Sequence, residues 1–143
     1  MKVAFKVKGL EKLISQVRKM PVEVQEEVDT YMTGLAFTIS ETARINAANI
    51  VGEGFLKGQI VANTSNFLDK TVSSNAIYSA YVEFGTGPKV SIPSGLESFA
   101  AQFKGKRPGN SRARPFFFPA YFQHGRPKKV EKEIKKLIEG MGK

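Results

Sequence analysis

Val3, Phe5 and Val7 alternate with Lys2, Lys6 and Lys8 around Ala4, a period of two that predicts a short half-buried strand ended by Gly9. The period then lengthens. Leu10, Leu13, Ile14 and Val17, followed by Met20, recur at helical spacing, and Pro21 stops that helix while being suited to start the next. From Pro21 to about Asn49 the chain keeps one apolar stripe: Val24, Val28, Tyr31, Met32, Leu35, Ile39 and Ala43. Glu23, Glu26 and Glu27 lie near its start, where the helix dipole favours negative charge. At ~1.5 Å per residue such a helix spans about 40 Å, enough to cross a whole small sheet. Gly34 inside it costs about 1 kcal/mol against alanine, which points to the close approach of another backbone.

Gly52, Gly54 and Gly58 then mark a turn, and residues 59–65 and 67–74 read as two strands joined near Asn63 to Asn66 by turn-prone residues. Residues 77–84 fit two periods. Ile77, Tyr81 and Phe84 share a helical face, whereas Tyr78, Ala80, Val82 and Phe84 alternate as in a strand; Gly85, suited to a left-handed cap, tips the reading to a helix. From Gly87 to Arg112 runs a long basic insertion. Within it Ser94 and Glu97 have capping-box spacing, and Leu96, Phe99, Ala100 and Phe103 share one face, which predicts a short helix over about 94–104. A helix so short must dock on something to persist. Residues 105–111 read as a mobile loop.

Phe116 to Phe122 is the most aromatic stretch, and Pro115 and Pro119 exclude a central strand through it. Pro119 is placed to begin a helix, but Gly125 and Pro127 interrupt it, so the C-terminal helix either kinks or restarts at Pro127. Val130, Ile134, Leu137, Ile138 and Met141 then form a stripe with lysines opposite. Three consecutive phenylalanines cannot share one side of a helix or strand. The run is expected mostly in the core, with at least one ring turned toward the insertion or a neighbour. The elements together predict an α+β fold in a single domain over 1–143. A small, mainly antiparallel sheet packs on the long helix, with N- and C-terminal helices alongside and the insertion at about 87–112.

Composition supports a globular chain: 41% hydrophobic and 24% charged residues are neither the values of a disordered segment nor those of a membrane protein. No apolar run approaches the ~20 residues of a membrane helix, and the alternating N-terminus is not a secretory signal. The absence of Cys excludes disulfides and thiolate metal sites. Charge changes the picture more. Residues 1–85 hold nine basic and nine acidic side chains, so the net charge of +9 lies entirely after Gly85. It divides between the insertion (six basic and one acidic over 86–114) and the C-terminal segment (seven basic and three acidic over 126–143). Such a surface is either a solvated face or a contact for DNA or an acidic partner.

Candidate chemistry is sparse. His124 is the single histidine, with no nucleophile elbow to accompany it and no metal-ligand spacing around it. Asp69 and Glu83 are not an evident acid–base pair, and the glycines at 52–58 lack the spacing and Lys-Ser/Thr ending of a phosphate loop. The expectation is a protein that is not an enzyme and uses no cofactor. Glu83 reads either as a solvated carboxylate at a helix end or as the partner of Arg112 or Arg114, whose guanidinium fork suits a carboxylate.

Two stretches carry the remaining signal: Tyr81-Val82-Glu83-Phe84-Gly85-Thr86-Gly87-Pro88 and Arg112-Ala113-Arg114-Pro115-Phe116-Phe117-Phe118-Pro119-Ala120. This pair, in this order, resembles the tail-completion, or head–tail joining, family of long-tailed bacteriophages. In that family a Glu-Phe-Gly-Thr turn is followed, after a variable loop, by Ala-Arg-Pro-Phe and a C-terminal helix. Gly54 to Ile60 is similar to the family's Gly-x-Leu turn leading into a strand, with Gly58 departing from the small polar residue of that pattern. The resemblance implies a structural protein of the virion neck, assembled in the host cytoplasm. It would form a six-fold ring and touch a tail tube or terminator protein on one side and a head connector or stopper on the other. It implies a subunit or partner interface at Tyr81, Glu83, Phe84, Gly85, Thr86, Arg112, Arg114, Pro115 and Phe116. Charge alone adds Lys89, Lys104, Lys106 and Arg107 as a basic loop facing packaged DNA. The competing expectation is a basic DNA-binding accessory protein, whose affinity would fall steeply with salt but whose sequence shows no recognition helix or stacking platform.

Overall fold

The computed structural model describes residues 3–5, 10–49, 54–76, 82–83 and 114–141. In chain order the elements are β1 (Val3–Phe5), α1 (Glu11–Val17), α2 (Val22–Ala48), α3 (Gly54–Lys57), β2 (Ile60–Asn63), β3 (Thr71–Ser74), α4 (Phe118–His124) and α5 (Pro127–Met141). Val82 and Glu83 are also helical. The three strands form one antiparallel sheet in the order β1-β3-β2. The chain is thus α+β, with the small sheet and the long helix expected. The helix proposed over 94–104, and the basic positions Lys89, Lys104, Lys106 and Arg107, lie outside the described residues.

Strand alternation positions the sheet. Ile60 pairs with Ser74 and Ala62 with Val72; Ile60, Val72 and Ser74 are buried while Val61 and Asn63 point outward. The third strand begins at Thr71 rather than at residue 67, and the reason lies in the preceding loop. Leu68 adopts a left-handed backbone conformation, φ 58°, costly for a branched residue. Its N–H donates to Asp29 Oδ1 on α2 at 2.7 Å, and its side chain is buried. The Lys70 ammonium meets Asp29 Oδ1 at 2.8 Å and donates to the carbonyls of Thr64 and Asn66 at 2.8 and 2.7 Å. Residues 64–70 are therefore folded around one aspartate instead of extending the sheet.

Helix α2 is the axis of the packing. Its first half, with Val28 innermost, packs against Leu10, Leu13, Val17, Leu68, Val130 and Ile134. Its second half presents Ala36, Ile39, Ala43 and Ala47 to the sheet and to Phe116–Phe118, and small residues there let backbones and rings come close. Leu35 contacts both clusters. The junction of α1 and α2 is closed by Gln25, whose amide donates to the Met20 and Arg18 carbonyls at 2.8 and 3.2 Å. Pro21, extended at ψ 151°, is the N-cap of α2.

Gly34 does not serve a close approach. It is exposed, and a Cβ there would meet nothing within 4 Å. The tight position is Gly125, the C-cap of α4, where a Cβ would come within 2.9 Å of Ile39 Cδ1. Gly34→Ala is accordingly expected to raise stability by about 0.5–1 kcal/mol, from helix propensity and reduced freedom of the unfolded chain. Urea denaturation of the variant checks this, and a loss of stability would mean that the α2 surface at Gly34 is covered.

Helix α5 restarts at Pro127 after the break at Gly125, as one of the two sequence readings has it, with Val130 and Ile134 buried.

Candidate clamp at Glu83 and Phe116 to Phe118

The segment before Pro119 contains no Ser, Thr, Asp or Asn to cap the helix that Pro119 helps begin. Residues 115–118 are Pro-Phe-Phe-Phe. The N-cap Phe117 makes no side-chain cap, so the first amides of α4 must find acceptors elsewhere. Glu83, 33–35 residues upstream, supplies them. One carboxylate oxygen accepts the N–H groups of Phe116 and Phe117 at 2.8 and 3.0 Å, and the other accepts that of Phe118 at 2.7 Å. Pro119 has no N–H to satisfy. Adjacent to this, Arg114 N–H donates to the Val82 carbonyl at 2.8 Å.

Two contacts from α2 complete the frame. Asn46 Nδ2 donates to the Phe116 carbonyl at 3.1 Å, so both backbone polar groups of this fully buried residue are satisfied, as burial requires. Thr42 Oγ1 and His124 Nε2 are 3.0 Å apart, which pins the far end of α4 to the same helix.

All three phenylalanines are buried, at 0–3% exposure, as expected of a run that lies mostly in the core; the insertion toward which one ring was expected to turn lies outside the described residues. The periodicity argument assumed a helix or strand, whereas Phe116 and Phe117 precede α4 in a tight turn. The rings fan out within the core and meet edge-to-face, with centroids 6.3 Å apart for Phe116–Phe117 and 5.6 Å for Phe117–Phe118, in the favourable range for aromatic pairs.

Glu83 is 2% exposed, which overturns its reading as a solvated carboxylate. Backbone amides are its described partners, and the Arg114 guanidinium is not among them, whereas Arg112, the other expected partner, lies outside the described residues; Arg114 contributes its main chain to the clamp and is itself exposed. Glu83 and Phe116 thus face inward and support the surface from beneath, while Arg114 and Pro115 are exposed beside them. Tyr81, Phe84, Gly85, Thr86 and Arg112 lie outside the described residues. The signal that could have revealed the clamp was present: a helix start with no local cap, and a carboxylate set among Tyr81, Val82 and Phe84.

Burial pushes the Glu83 carboxyl above its ordinary value of 4.5, and the three amides pull it back only in part. A folded pKa above the unfolded one means that the folded state holds the proton longer. The resulting contribution to stability is full below about pH 4.5 and is lost as pH rises through the folded pKa. The stability advantage of the natural chain over Glu83→Gln is therefore expected to be greatest in acid and to shrink toward neutrality. Denaturant titrations from pH 4 to 8 measure it; an advantage that grows with pH would show that the amides outweigh burial.

With both oxygens engaged and no access to solvent, Glu83 offers a ligand no proton and no charge. Among the described residues, no group of three or more His, Cys, Asp or Glu is arranged to hold a metal ion, and no helix is long and apolar enough to cross a membrane. A cleft of about 400 Å3 opens between α1, α2 and the 64–70 loop, lined by apolar side chains such as Leu10, Ile14, Met32 and Leu35. Two cations at its edge are already engaged, Arg18 with the Phe67 carbonyl and Lys70 with Asp29. Comparison of the chain with protein-family models, with curated proteins and with solved structures finds no match.

Proposed function

We propose that this chain is a structural assembly protein of the head–tail junction of a long-tailed phage or prophage, a subunit of a ring that completes the tail and joins it to the head connector. The observation that carries the reading is the clamp. The two stretches that resemble the tail-completion family, around Glu83 and around Arg114–Phe118, meet in space through four hydrogen bonds. The described residues on either side of the basic segment, Val82–Glu83 and Arg114–Phe118, are thereby bonded to each other. A rigid body carrying a segment so anchored suits a ring subunit, in which heterologous contacts are repeated around an axis until they close. Arg114 and Pro115, exposed beside the clamp, are the described residues best placed to meet a neighbour.

The test is genetic and visual. Inactivating the gene in its phage or prophage is expected to leave DNA-filled heads and separate tails in the lysate, seen by electron microscopy, with joining restored when the protein is supplied in trans. Normal yields of joined virions without the protein would overturn the reading, as would tight, sequence-selective DNA binding by the purified chain.

A further inference from the structure

We propose that the outward face of α5 binds the phosphate backbone of double-stranded DNA. The inference does not depend on the head–tail reading, because it rests on burial and charge in the isolated chain. Helix α5 carries five lysines and three glutamates, and their arrangement is not mixed. At about 100° per residue, Lys128, Lys129, Lys132, Lys135 and Lys136 fall within an arc of about 120° opposite Val130 and Ile134. All five are exposed. Glu139 alone shares their arc; Glu131 and Glu133 flank it at the border with the buried stripe. Lys135 is paired with Glu131 at 2.9 Å, and Lys129 reaches the Gln123 carbonyl at 3.2 Å. Lys128, Lys132 and Lys136 keep three ammonium groups toward solvent, one helical turn apart.

Helix stability does not account for this order. The first turn of α5 has no acidic residue and the last turn has no basic one. Lys128 and Lys129 stand where the dipole disfavours cations, and Glu139 stands near the end where it disfavours anions. A local arrangement that opposes its own helix is expected where another demand is met. The chemistry of that demand is a dense row of negative charge. Duplex DNA presents one phosphate per ~1.7 Å of axis. Lysines contact phosphates as point charges, and the absence of aromatic residues from this face argues against stacking on single-stranded bases. The apolar side of α5 is used in the core, so the helix has no face left to insert into a lipid surface.

The experiment uses the full chain and a random-sequence 30-base-pair duplex, with affinity measured by fluorescence anisotropy over a range of salt. The natural protein is expected to bind at low salt, with a logarithmic slope of about −0.9 for each phosphate contacted. The triple variant Lys128→Gln, Lys132→Gln, Lys136→Gln should bind at least tenfold more weakly and lose about 2–3 units of slope. All three positions are exposed, and circular dichroism checks the fold. A control with equal charge loss, Lys12→Gln, Lys19→Gln, Lys57→Gln, should leave the slope unchanged. Four results would overturn the proposal: no binding by the natural chain, undiminished binding by the α5 variant, equal losses in the control, or equally strong binding to phosphatidylserine vesicles.

Discussion

Glu83→Ala is expected to lower the unfolding free energy by about 3 kcal/mol, the largest effect of any polar substitution in the described fold. Three N–H groups at the start of α4 would lose their only described acceptor at positions from which water is excluded. A buried donor left unsatisfied costs about 1–3 kcal/mol. The total is smaller than three such penalties because the variant no longer buries a carboxylate, whose desolvation already raises its pKa. Glu83→Gln should fall between the two proteins, since an amide oxygen still accepts while its NH2 opposes one of the donors. Guanidinium denaturation gives the free energies, and hydrogen exchange at Phe116–Phe118 reads the clamp directly. Full protection of those amides in Glu83→Ala, with stability unchanged, would show that the carboxylate is not what holds them.

Asp29→Ala is expected to cost about 2 kcal/mol and to act on a different part of the molecule. Asp29 accepts from the Leu68 amide and faces the Lys70 ammonium, whose side chain is 6% exposed. Removing one partner of a buried pair typically costs 3–5 kcal/mol. The effect is reduced here because Lys70 keeps two carbonyl acceptors and Asp29 itself is 22% exposed. Leu68, held at positive φ, has no intrinsic preference for that conformation. Loss of its anchor should therefore release residues 64–70 ahead of global unfolding. Fast exchange at the Leu68 amide with the α4 amides still protected is the expected pattern. Asp29→Asn, which keeps an acceptor without the charge, should recover part of the loss. A variant as stable as the natural chain would show that the loop is held by the packing of Leu68 alone.

These two sites mark what the sequence could and could not convey. The two long helices were legible because each repeats an apolar period: Val28, Ile39 and Ala43 on α2, and Val130 and Ile134 on α5, are buried as their spacing requires, whereas the single turn of α3 at Gly54–Lys57 stands where the glycines read only as a turn. Proline was equally informative, since Pro21 and Pro127 stand where α2 and α5 begin. Contacts without a period left no such trace. The clamp joins Glu83 to amides more than thirty residues away; an uncapped helix start and a carboxylate among apolar neighbours hint at it, but amides are present in every residue but proline, so no pattern of side chains says which backbone the carboxylate meets. Carboxylate next to arginine suggested an ion pair, but a buried helix start had the stronger claim on the carboxylate. Leu68 misled for a related reason. It has the composition of a strand residue, and only the aspartate on α2 explains why the backbone turns there. Gly34 was read for its cost within a helix, but its surroundings are open.

The joining of Val82–Glu83 to Arg114–Phe118 also bears on how the protein can change length. The entropic cost of closing a connection rises only with the logarithm of its length, so doubling it adds about 0.6 kcal/mol. Both ends are held by the domain's own hydrogen bonds, and a change in the length of what lies between them leaves the donors and acceptors that join them in place. The joined ends form a socket whose bonds do not depend on the size of the segment spliced between them, so selection can fit that segment to a new partner without rebuilding the clamp that holds it.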